Sequence, residues 1–341
     1  METTYLTQAD RNTAARLLRN GGLVGIPTET VYGLGANGLD EAAVRRIFAA
    51  KGRPQDNPLI LHIPSADWLE RYCRDIPDMA YALAARFWPG PLTMILPRKD
   101  IVPNVVTAGL DTVGVRCPDH GLCREIIRLA GVPVAAPSGN RSGKPSPTRA
   151  QHMREDMDGR VDAIVDGGPC RVGVESTIVD LTCTPPRLLR PGGITLEQLR
   201  DVLGEMEIDP AVVRGMKEGE KPRAPGMAYR HYAPEAPVTV VAGKPEQTAA
   251  YIAAHVGEED GVLCFDEYIG LFSRQDARRQ VKYLGPVEDK QAQAHNIFDA
   301  LRAFDHTKVT AIWAQCPDQR DIGLAVANRL NKAAGFRIIE V

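Results

Sequence analysis

Short apolar runs rich in β-branched residues alternate with helix-forming stretches along most of the chain. In the first two hundred residues such runs lie at 23–26, 58–63, 92–96, 113–115, 132–136, 161–165 and 178–181. Helix-forming stretches separate several of them, for example at 122–130 and 196–203. Strands that alternate with helices in this way form a sheet on which the helices pack. The pattern therefore predicts an α/β fold.

The alternation lapses between residues 205 and 237 and then resumes. Lys217 to Pro222 is charged and rich in turn-forming residues, which is typical of a linker. After residue 237, strand and helix signals alternate again over about a hundred residues, as in a doubly wound sheet. We predict a first domain over 1–204, a linker or lid over 205–237, and a smaller Rossmann-like α/β domain over 238–341.

Charge, cysteine content and hydropathy exclude several classes of protein. The formal net charge of −2 gives no general electrostatic footprint for nucleic acid. The seven cysteines are odd in number and never spaced C-x-x-C, which argues against a zinc site and a secreted disulfide framework. We find no signal-peptide pattern at the N-terminus and no apolar run of about 18 residues. These features predict a cytoplasmic protein with no membrane partner.

Polar and glycine-bearing stretches follow several of the predicted strands. The first, residues 27–35, reads P-T-E-T-V-Y-G-L-G and is interpreted as a turn. A second, residues 135–146, contains small hydroxyl, amide and glycine residues that let the backbone approach a nucleotide. It is not a P-loop, because its spacing is one residue short and Pro145 stands where Ser or Thr is required. Ligands of open α/β sheets bind at such strand ends.

Four cations also lie at the ends of predicted elements. Lys51 and Arg53 close a helix, where the helix dipole alone would favour them, or where they could clamp a polyphosphate. Arg116 ends a strand and needs an anion, which is either a structural Asp or Glu or a ligand carboxylate or phosphate. Thr112 lies on the same face of that strand. Together with Arg190 these residues suggest a site for a polyanion and a small zwitterion.

Six separated motifs resemble one known family. Residues 27–35, 51–62, 112–116, 135–146, 173–178 and 188–192 look like the YrdC-like, threonylcarbamoyl-adenylate synthase family. The Lys51-Gly52-Arg53 and Ser138-Gly139-Asn140 triplets are similar to its K-x-R and S-x-N signatures. The run from Ala224 to Pro234 resembles the longer branch, which carries a C-terminal domain.

The resemblance implies a twisted, open-sheet catalytic domain and a particular reaction. Threonine and bicarbonate would form a carbamate, which attacks the α-phosphorus of ATP and releases pyrophosphate. The product, L-threonylcarbamoyladenylate, is the first intermediate in forming N6-threonylcarbamoyladenosine in tRNA. The implied partners are ATP, L-threonine, bicarbonate and a downstream threonylcarbamoyl transferase complex, with tRNA contact indirect or weak. Mg²⁺ would enter with ATP rather than on protein side chains, and no organic cofactor is implied.

The family's motifs also carry residue roles onto this sequence. The positions that match the threonine-binding residues are Thr30, His62, Arg116, Ala136 (through its backbone) and Ser176. The positions that match the ATP-binding residues are Arg53, Asn57, Thr112, Ser138, Ser146, Arg190 and Tyr229. The catalytic set is Lys51, Arg53, Ser138 and Asn140, in which Lys51 serves the bicarbonate or phosphate charge and Asn140 supports the same loop. The linker residues Tyr229, Arg230, His231 and Tyr232 would form a lid.

Two other functional classes compete with this interpretation. An RNA-binding module would need interleaved basic and aromatic residues, which the sequence lacks. A carbamoyl-transfer enzyme of hydrogenase maturation contains a similar domain but would also need zinc-binding cysteine pairs. For the linker aromatics, the alternative to a lid is that they join the two domains.

Overall fold

The computed structural model describes residues 2–216, 222–227, 231–275 and 280–341. The chain divides into two compact units. Unit 1 comprises Met1–Ser142, Ser146–Arg171 and Glu175–Ala228. Unit 2 comprises Gly143–Pro145, Val172–Val174 and Tyr229–Val341. Two short segments of the predicted first domain thus group with the C-terminal residues.

The described strands of unit 1 form one large mixed sheet. They are β1 (Thr4–Leu6), β2 (Val24–Ile26), β3 (Gly33–Asn37), β4 (Ile60–His62), β5 (Leu92–Pro97), β6 (Thr112–Arg116), β7 (Val134–Ala135), β8 (Ala163–Val165), β9 (Thr177–Asp180), β10 (Arg187–Arg190) and β11 (Glu207–Ile208). Their order across the sheet is β1-β8-β2-β3-β7-β4-β6-β5-β9-β10-β11. β4 and β6 are neighbours and run parallel, whereas β5 runs antiparallel to β6.

Helices connect the strands of unit 1 and supply its core. They are α1 (Arg11–Arg19), α2 (Glu41–Lys51), α3 (Leu69–Tyr72), α4 (Asp78–Phe87), α5 (Asn104–Thr107), α6 (Gly121–Ala130), α7 (Ala150–Met157), α8 (Leu196–Leu203) and α9 (Pro210–Arg214). The apolar faces of α1 and α6 pack on β2, β7 and β8 in one buried cluster that includes Leu18 and Ile126. Burial of such faces is the main stabilising term of an α/β layer.

Local sequence signals account for both ends of α2, including the end that Lys51 and Arg53 were predicted to close. Asp40 accepts hydrogen bonds from the backbone N–H groups of Ala42 and Ala43 and begins α2. That helix ends at Gly52, whose φ of 63° is left-handed and therefore favours glycine. Since α2 ends there, Lys51 lies in its last turn and Arg53 follows its cap.

The interpretation of residues 27–35 as a turn throughout is wrong for its last residues. Gly33 begins β3, which pairs antiparallel with β2 and with β7. A Cβ at Gly35 would lie 2.8 Å from Cγ1 of Val134, so the glycines permit close strand approach there rather than a reversal of the chain. Glycine in a strand commonly marks such an approach.

Unit 2 is a parallel sheet covered by helices. Its strands are β12 (Val238–Ala242), β13 (Gly261–Phe265), β14 (Gln280–Gly285), β15 (Ile312–Gln315) and β16 (Ile338–Glu340), in the order β14-β13-β15-β12-β16. Its helices are α10 (Pro245–His255), α11 (Ile269–Gln275), α12 (Lys290–Phe304) and α13 (Gly323–Ala333). Right-handed crossovers in this order place α10 and α11 on one face and α12 and α13 on the other. The predicted fold class, a large twisted sheet and a second doubly wound sheet, is confirmed.

Gln315, which ends β15, binds neighbouring protein groups in unit 2. Gln315 is fully buried and accepts a hydrogen bond from the backbone N–H of Phe265. Its amide donates to the carbonyl of Pro245 and to the hydroxyl of Thr248. Within the described ranges, no helix of either unit is long and apolar enough to cross a bilayer.

Gly192 lies at the closest backbone approach next to the predicted site. A Cβ at this position would lie 2.3 Å from the backbone N of Thr177 and 2.4 Å from the carbonyl O of Glu175. These neighbours are backbone atoms, so they cannot move aside by a rotamer change. The segment that carries Ser176 therefore needs glycine at residue 192.

We expect Gly192→Ala to destabilise the protein by about 3 kcal/mol, the upper part of the range for overpacking. Thermal unfolding measures the loss. Gly121→Ala is the matched control, because a Cβ there meets no atom within 4 Å. Alanine at that first helical position should leave the melting temperature unchanged or slightly higher. Equal melting temperatures for the 192 variant and the wild type would contradict the packing argument.

Candidate active site

The ends of two neighbouring parallel strands place His62 beside Arg116. β4 and β6 pair in register with these two residues opposite each other. On the other side of β6, β5 places Thr93 opposite Arg116. His62 and Arg116 are each 4% exposed, and Thr93 is fully buried. Two of the predicted threonine-binding residues are thus brought together at the edge of the sheet where ligands bind.

Ser176, which directly precedes β9, and Arg190, which ends β10, belong to the same group of residues. The Ser176 hydroxyl lies 2.8 Å from that of Thr93. Arg190 donates from Nε to the Ser176 carbonyl at 3.0 Å and from Nη2 to its hydroxyl at 3.1 Å. Its Nη1 donates to the carbonyl of Pro225. Arg190, predicted to hold ATP, therefore also fixes a residue predicted to hold threonine.

Glu29 forms a buried ion pair with Arg116. The distance from Oε2 of Glu29 to Nη2 of Arg116 is 2.7 Å, and the two side chains are 2% and 5% exposed. Neighbouring Thr28 and Thr30 are also buried, and their hydroxyls lie 2.9 Å apart. Of the two anions that the sequence left open for Arg116, the structure supplies an acid of the protein. Glu29 was missed, although it lies inside the first polar motif.

Lys51 anchors the glycine-bearing loop that follows β7. Its ammonium donates to the carbonyls of Ser138, at 2.5 Å, and of Asn140. The backbone N–H of Ser142 donates in turn to the Lys51 carbonyl. Gly139 donates to the carbonyl of Tyr32, which ties the same loop to the first polar motif. Lys51, Ser138 and Asn140 are therefore brought together, and the bicarbonate or phosphate role of Lys51 stays a prediction.

Ser146 contacts a second acid that the sequence reasoning missed. Its hydroxyl donates to Oε1 of Glu175 at 2.5 Å, and Ser146 is fully buried. Glu175 is 6% exposed and directly precedes Ser176. Both missed acids, Glu29 and Glu175, directly precede a hydroxyl residue that the motifs assign to threonine. That shared position is the signal that could have identified them.

The remaining predicted residues occupy the surrounding loops and strand starts. Arg53 is half-buried and donates from Nη2 to the carbonyl of Pro58 at 3.1 Å. The backbone N–H of Ala136 donates to the carbonyl of Ile60, which fixes the end of β7 against β4. Thr112 begins β6, and at about 3.3 Å per residue it lies on the order of 13 Å along the strand from Arg116. The structure therefore does not bring Thr112 into the His62–Arg116 group.

Asn57 is buried with its amide unused by the protein. It is 1% exposed, and neither Oδ1 nor Nδ2 has a hydrogen-bond partner among the described residues. Leaving buried polar atoms unpaired costs about 1–3 kcal/mol each. A bound ligand that offers both a donor and an acceptor would remove that cost, which makes Asn57 a candidate binding residue.

The predicted lid is described only in part. Tyr229 and Arg230 lie outside the described residues. In unit 2, the Tyr232 ring packs on Phe298 of α12 with centroids 5.2 Å apart. The guanidinium of Arg329, on α13, lies 5.7 Å from the same ring centroid. The His231 ring lies 5.6 Å from that of Tyr232. The lid role of these residues stays a prediction.

Burial keeps His62 neutral and the nearby thiols protonated. Burial, followed by the positive charge of Arg116, lowers the pKa of His62 to about 3. Burial raises the pKa of Cys117 to about 11 and that of Cys123 to about 12. All seven cysteines are free, and the described residues contain no cluster of His, Cys, Asp and Glu that could hold a metal ion. A neutral imidazole can donate from one ring nitrogen and accept at the other.

Two family models together match nearly the whole chain. The one described as "Telomere recombination" matches residues 16–192, and the one described as the threonylcarbamoyl-AMP synthase C-terminal domain matches residues 194–335. Together they define a two-domain enzyme with an N-terminal YrdC-like domain. The chain belongs to the threonylcarbamoyl-AMP synthase family, which confirms the resemblance recognised from the motifs.

Two curated relatives and one solved structure match this chain over at least 93% of their own lengths. A threonylcarbamoyl-AMP synthase of Pyrococcus abyssi is 51% identical over 334 residues, which cover 96% of this chain and 95% of the relative. One of Bacillus subtilis is 48% identical over 329 residues, with 96% and 93% covered. The crystal structure of Sua5 from Pyrococcus abyssi complexed with L-threonine is 48% identical, covers both chains completely and superposes with a TM-score of 0.89.

The lowered pKa of His62 predicts a stability effect with a defined sign. Between pH 6.5 and 3 the unfolded state binds a proton that the folded state does not, so stability falls as the pH falls. The slope contributed by this group is about 1.4 kcal/mol per pH unit. We expect His62→Gln to flatten the pH dependence of unfolding between pH 6.5 and 5. Denaturant unfolding at a series of pH values measures it, with the exposed His255→Gln as control. Parallel curves for His62→Gln and the wild type would contradict the prediction.

Proposed function

We propose that this enzyme makes L-threonylcarbamoyladenylate from L-threonine, bicarbonate and ATP, with release of pyrophosphate. The amine of threonine bonds to the carbon of bicarbonate and water leaves, which gives a carbamate. A carbamate oxygen then bonds to the α-phosphorus as the bond to the β-phosphate oxygen breaks. The product is the first intermediate of N6-threonylcarbamoyladenosine formation in tRNA.

The observation that carries this proposal is the buried guanidinium of Arg116 beside the neutral His62. A guanidinium at a strand end is suited to an amino acid's carboxylate. Neutral His62, whose Nδ1 lies 3.3 Å from the carbonyl oxygen of Ile60, adds no second positive charge. Thr30, the backbone of Ala136 and Ser176 complete the proposed threonine site. A relative with 48% identity over its whole length has been crystallised with L-threonine, which supports the assignment.

The proposed ATP site uses side chains that suit phosphate oxygens and an amide that suits a base or ribose. The proposed residues are Arg53, Asn57, Thr112, Ser138, Ser146 and Arg190. The two guanidinium groups suit phosphate oxygens, and the Ser146 hydroxyl adjoins the carboxylate of Glu175. Mg²⁺ would enter as the ATP complex, where it neutralises phosphate charge.

The proposed chemistry depends on positioning and charge rather than on a protein nucleophile. Transfer at phosphorus needs an attacking oxygen in line with the leaving group and cations around the phosphates. The carbonyls of Ser138 and Asn140 hold Lys51 at the loop where we place the phosphates. We further propose that the adenylate passes to a cytoplasmic threonylcarbamoyl transferase complex, so that tRNA contact by this chain is indirect or weak.

We expect pyrophosphate release to require threonine and bicarbonate together, because the attacking group is the carbamate made from both. A coupled pyrophosphate assay with each substrate omitted in turn measures this, and mass spectrometry identifies the adenylate. Serine and valine serve as controls for the amino-acid requirement. Undiminished release without threonine would overturn the proposed function.

Two arginine variants should separate the two halves of the site. Arg53→Ala removes a guanidinium proposed for ATP, and charge-assisted hydrogen bonds of about 1.5–3 kcal/mol predict a roughly ten- to hundredfold loss in kcat/KM for ATP. Arg116→Lys keeps a charge opposite Glu29 but loses the fork, so the loss should fall on the KM for threonine. Steady-state kinetics with each substrate varied tests both. A loss that falls on threonine for Arg53→Ala and on ATP for Arg116→Lys would contradict both assignments.

A further inference from the structure

Glu29 differs from the other acids of the site because both of its oxygens are buried without a hydrogen bond. They lie within the protein interior, and Oε2 forms an ion pair with Nη2 of Arg116 at 2.7 Å. An isolated carboxylate in such a place is costly unless a cation faces it. The Glu29 carboxylate is in contact with Arg116, its ion-pair partner. It can act on a substrate through Arg116.

The surroundings of Glu29 leave Arg116 as its main partner. Three buried cysteines, Cys117, Cys123 and Cys170, lie close enough for the charge of Glu29 to affect their pKa values. The negative charge of Glu29 adds to burial in raising the pKa of each thiol, so all three stay neutral. Among the described residues, Arg116 is the one cation that forms an ion pair with Glu29.

The Arg116 guanidinium has donors left for a ligand. Its Nε and Nη2 are buried without a hydrogen bond, and no described residue accepts one from Nη1. A guanidinium carries five N–H donors in a fixed plane, so it can meet two carboxylates on different edges. Glu29 faces the Nη2 side. This contact leaves the other N–H groups of the guanidinium for a ligand.

We infer that Glu29 is a positioning residue that orients Arg116 to receive the α-carboxylate of the amino-acid substrate. The inference rests on the proposed function, because it needs an amino acid at Arg116. If Glu29 acted only through its charge, its removal would change the affinity for the carboxylate in the opposite direction from a positioning role. Removing a negative charge next to Arg116 would strengthen binding of a carboxylate if charge alone mattered. Loss of orientation weakens that binding instead.

Isothermal titration of Glu29→Gln with L-threonine and with L-threoninamide tests the inference. The amide ligand lacks the carboxylate but keeps the rest of the amino acid. We expect the variant to bind L-threonine about tenfold more weakly than the wild type, and to bind threoninamide within about threefold of it. Unchanged or tighter binding of L-threonine would overturn the role of Glu29. A wild type that binds no L-threonine would overturn the proposed function instead.

A double-mutant cycle separates positioning from a purely structural role. In an Arg116→Lys background, Glu29→Gln should change the affinity for L-threonine by less than about twofold, because the fork to be oriented is gone. Full additivity would show that Glu29 acts independently of Arg116. Glu125→Gln removes the acid of an exposed pair with Arg11 and should change neither ligand's affinity. If Glu29→Gln does not fold, Glu29→Asp is titrated in its place, since it keeps the charge and shortens the reach by one methylene. The same loss for L-threonine alone is expected.

Discussion

The buried ion pair between Glu29 and Arg116 is the interaction on which the site's arrangement depends. It joins the polar segment after β2 to the end of β6, two parts of the chain more than eighty residues apart. Removing one partner of a buried pair typically costs about 3–5 kcal/mol, because the other charge is left uncompensated. Loss of Glu29 would therefore leave the Arg116 charge uncompensated at the end of β6. The same contact therefore contributes to the stability of the sheet and to the charge balance of the candidate site.

The other cations of the site bind backbone carbonyl groups. Lys51 holds the loop after β7 through two backbone oxygens, and Arg190 holds the segment before β9 and the carbonyl of Pro225. A cation that satisfies carbonyls is fixed in place before any ligand arrives. Preorganised charge of this kind avoids the cost of reorganising the site at the moment of reaction. Arg190, which we propose for ATP, also contacts Ser176, which we propose for threonine. The two proposed sites therefore meet at Arg190, and we expect a change there to affect both.

Local signals predicted most elements, and long-range pairing explains the rest. Asp40 and Gly52 identify both ends of α2 because caps depend on a few neighbouring residues. β3 was interpreted as a turn because the nearest neighbours of its glycines are Val134 for Gly35 and Ala136 for Gly33, both of which are distant in the chain. The motifs assigned His62 and Arg116, and the strand register then placed them side by side. Glu29 and Glu175 were missed as partners because the order of the strands decides which acid meets which arginine or hydroxyl group. Hydrophobic periodicity carries no information on that order.

The protonation states around the site restrict the chemistry that it can support. The pKa values of His62 and of the nearby thiols are displaced so that imidazole and thiol are uncharged near neutral pH, which deprives the site of a thiolate nucleophile and of an imidazolium acid. Besides the acids Glu29 and Glu175, arginine, lysine and hydroxyl groups remain, and the proposed reaction needs these only to orient substrates and neutralise anions. Catalysis by such a set depends on distances and angles, to which an error of about 1 Å can cost a hundredfold in rate. The buried pair, the carbonyl-bound cations and the close approach at Gly192 all hold candidate site residues in place through short contacts with other protein atoms.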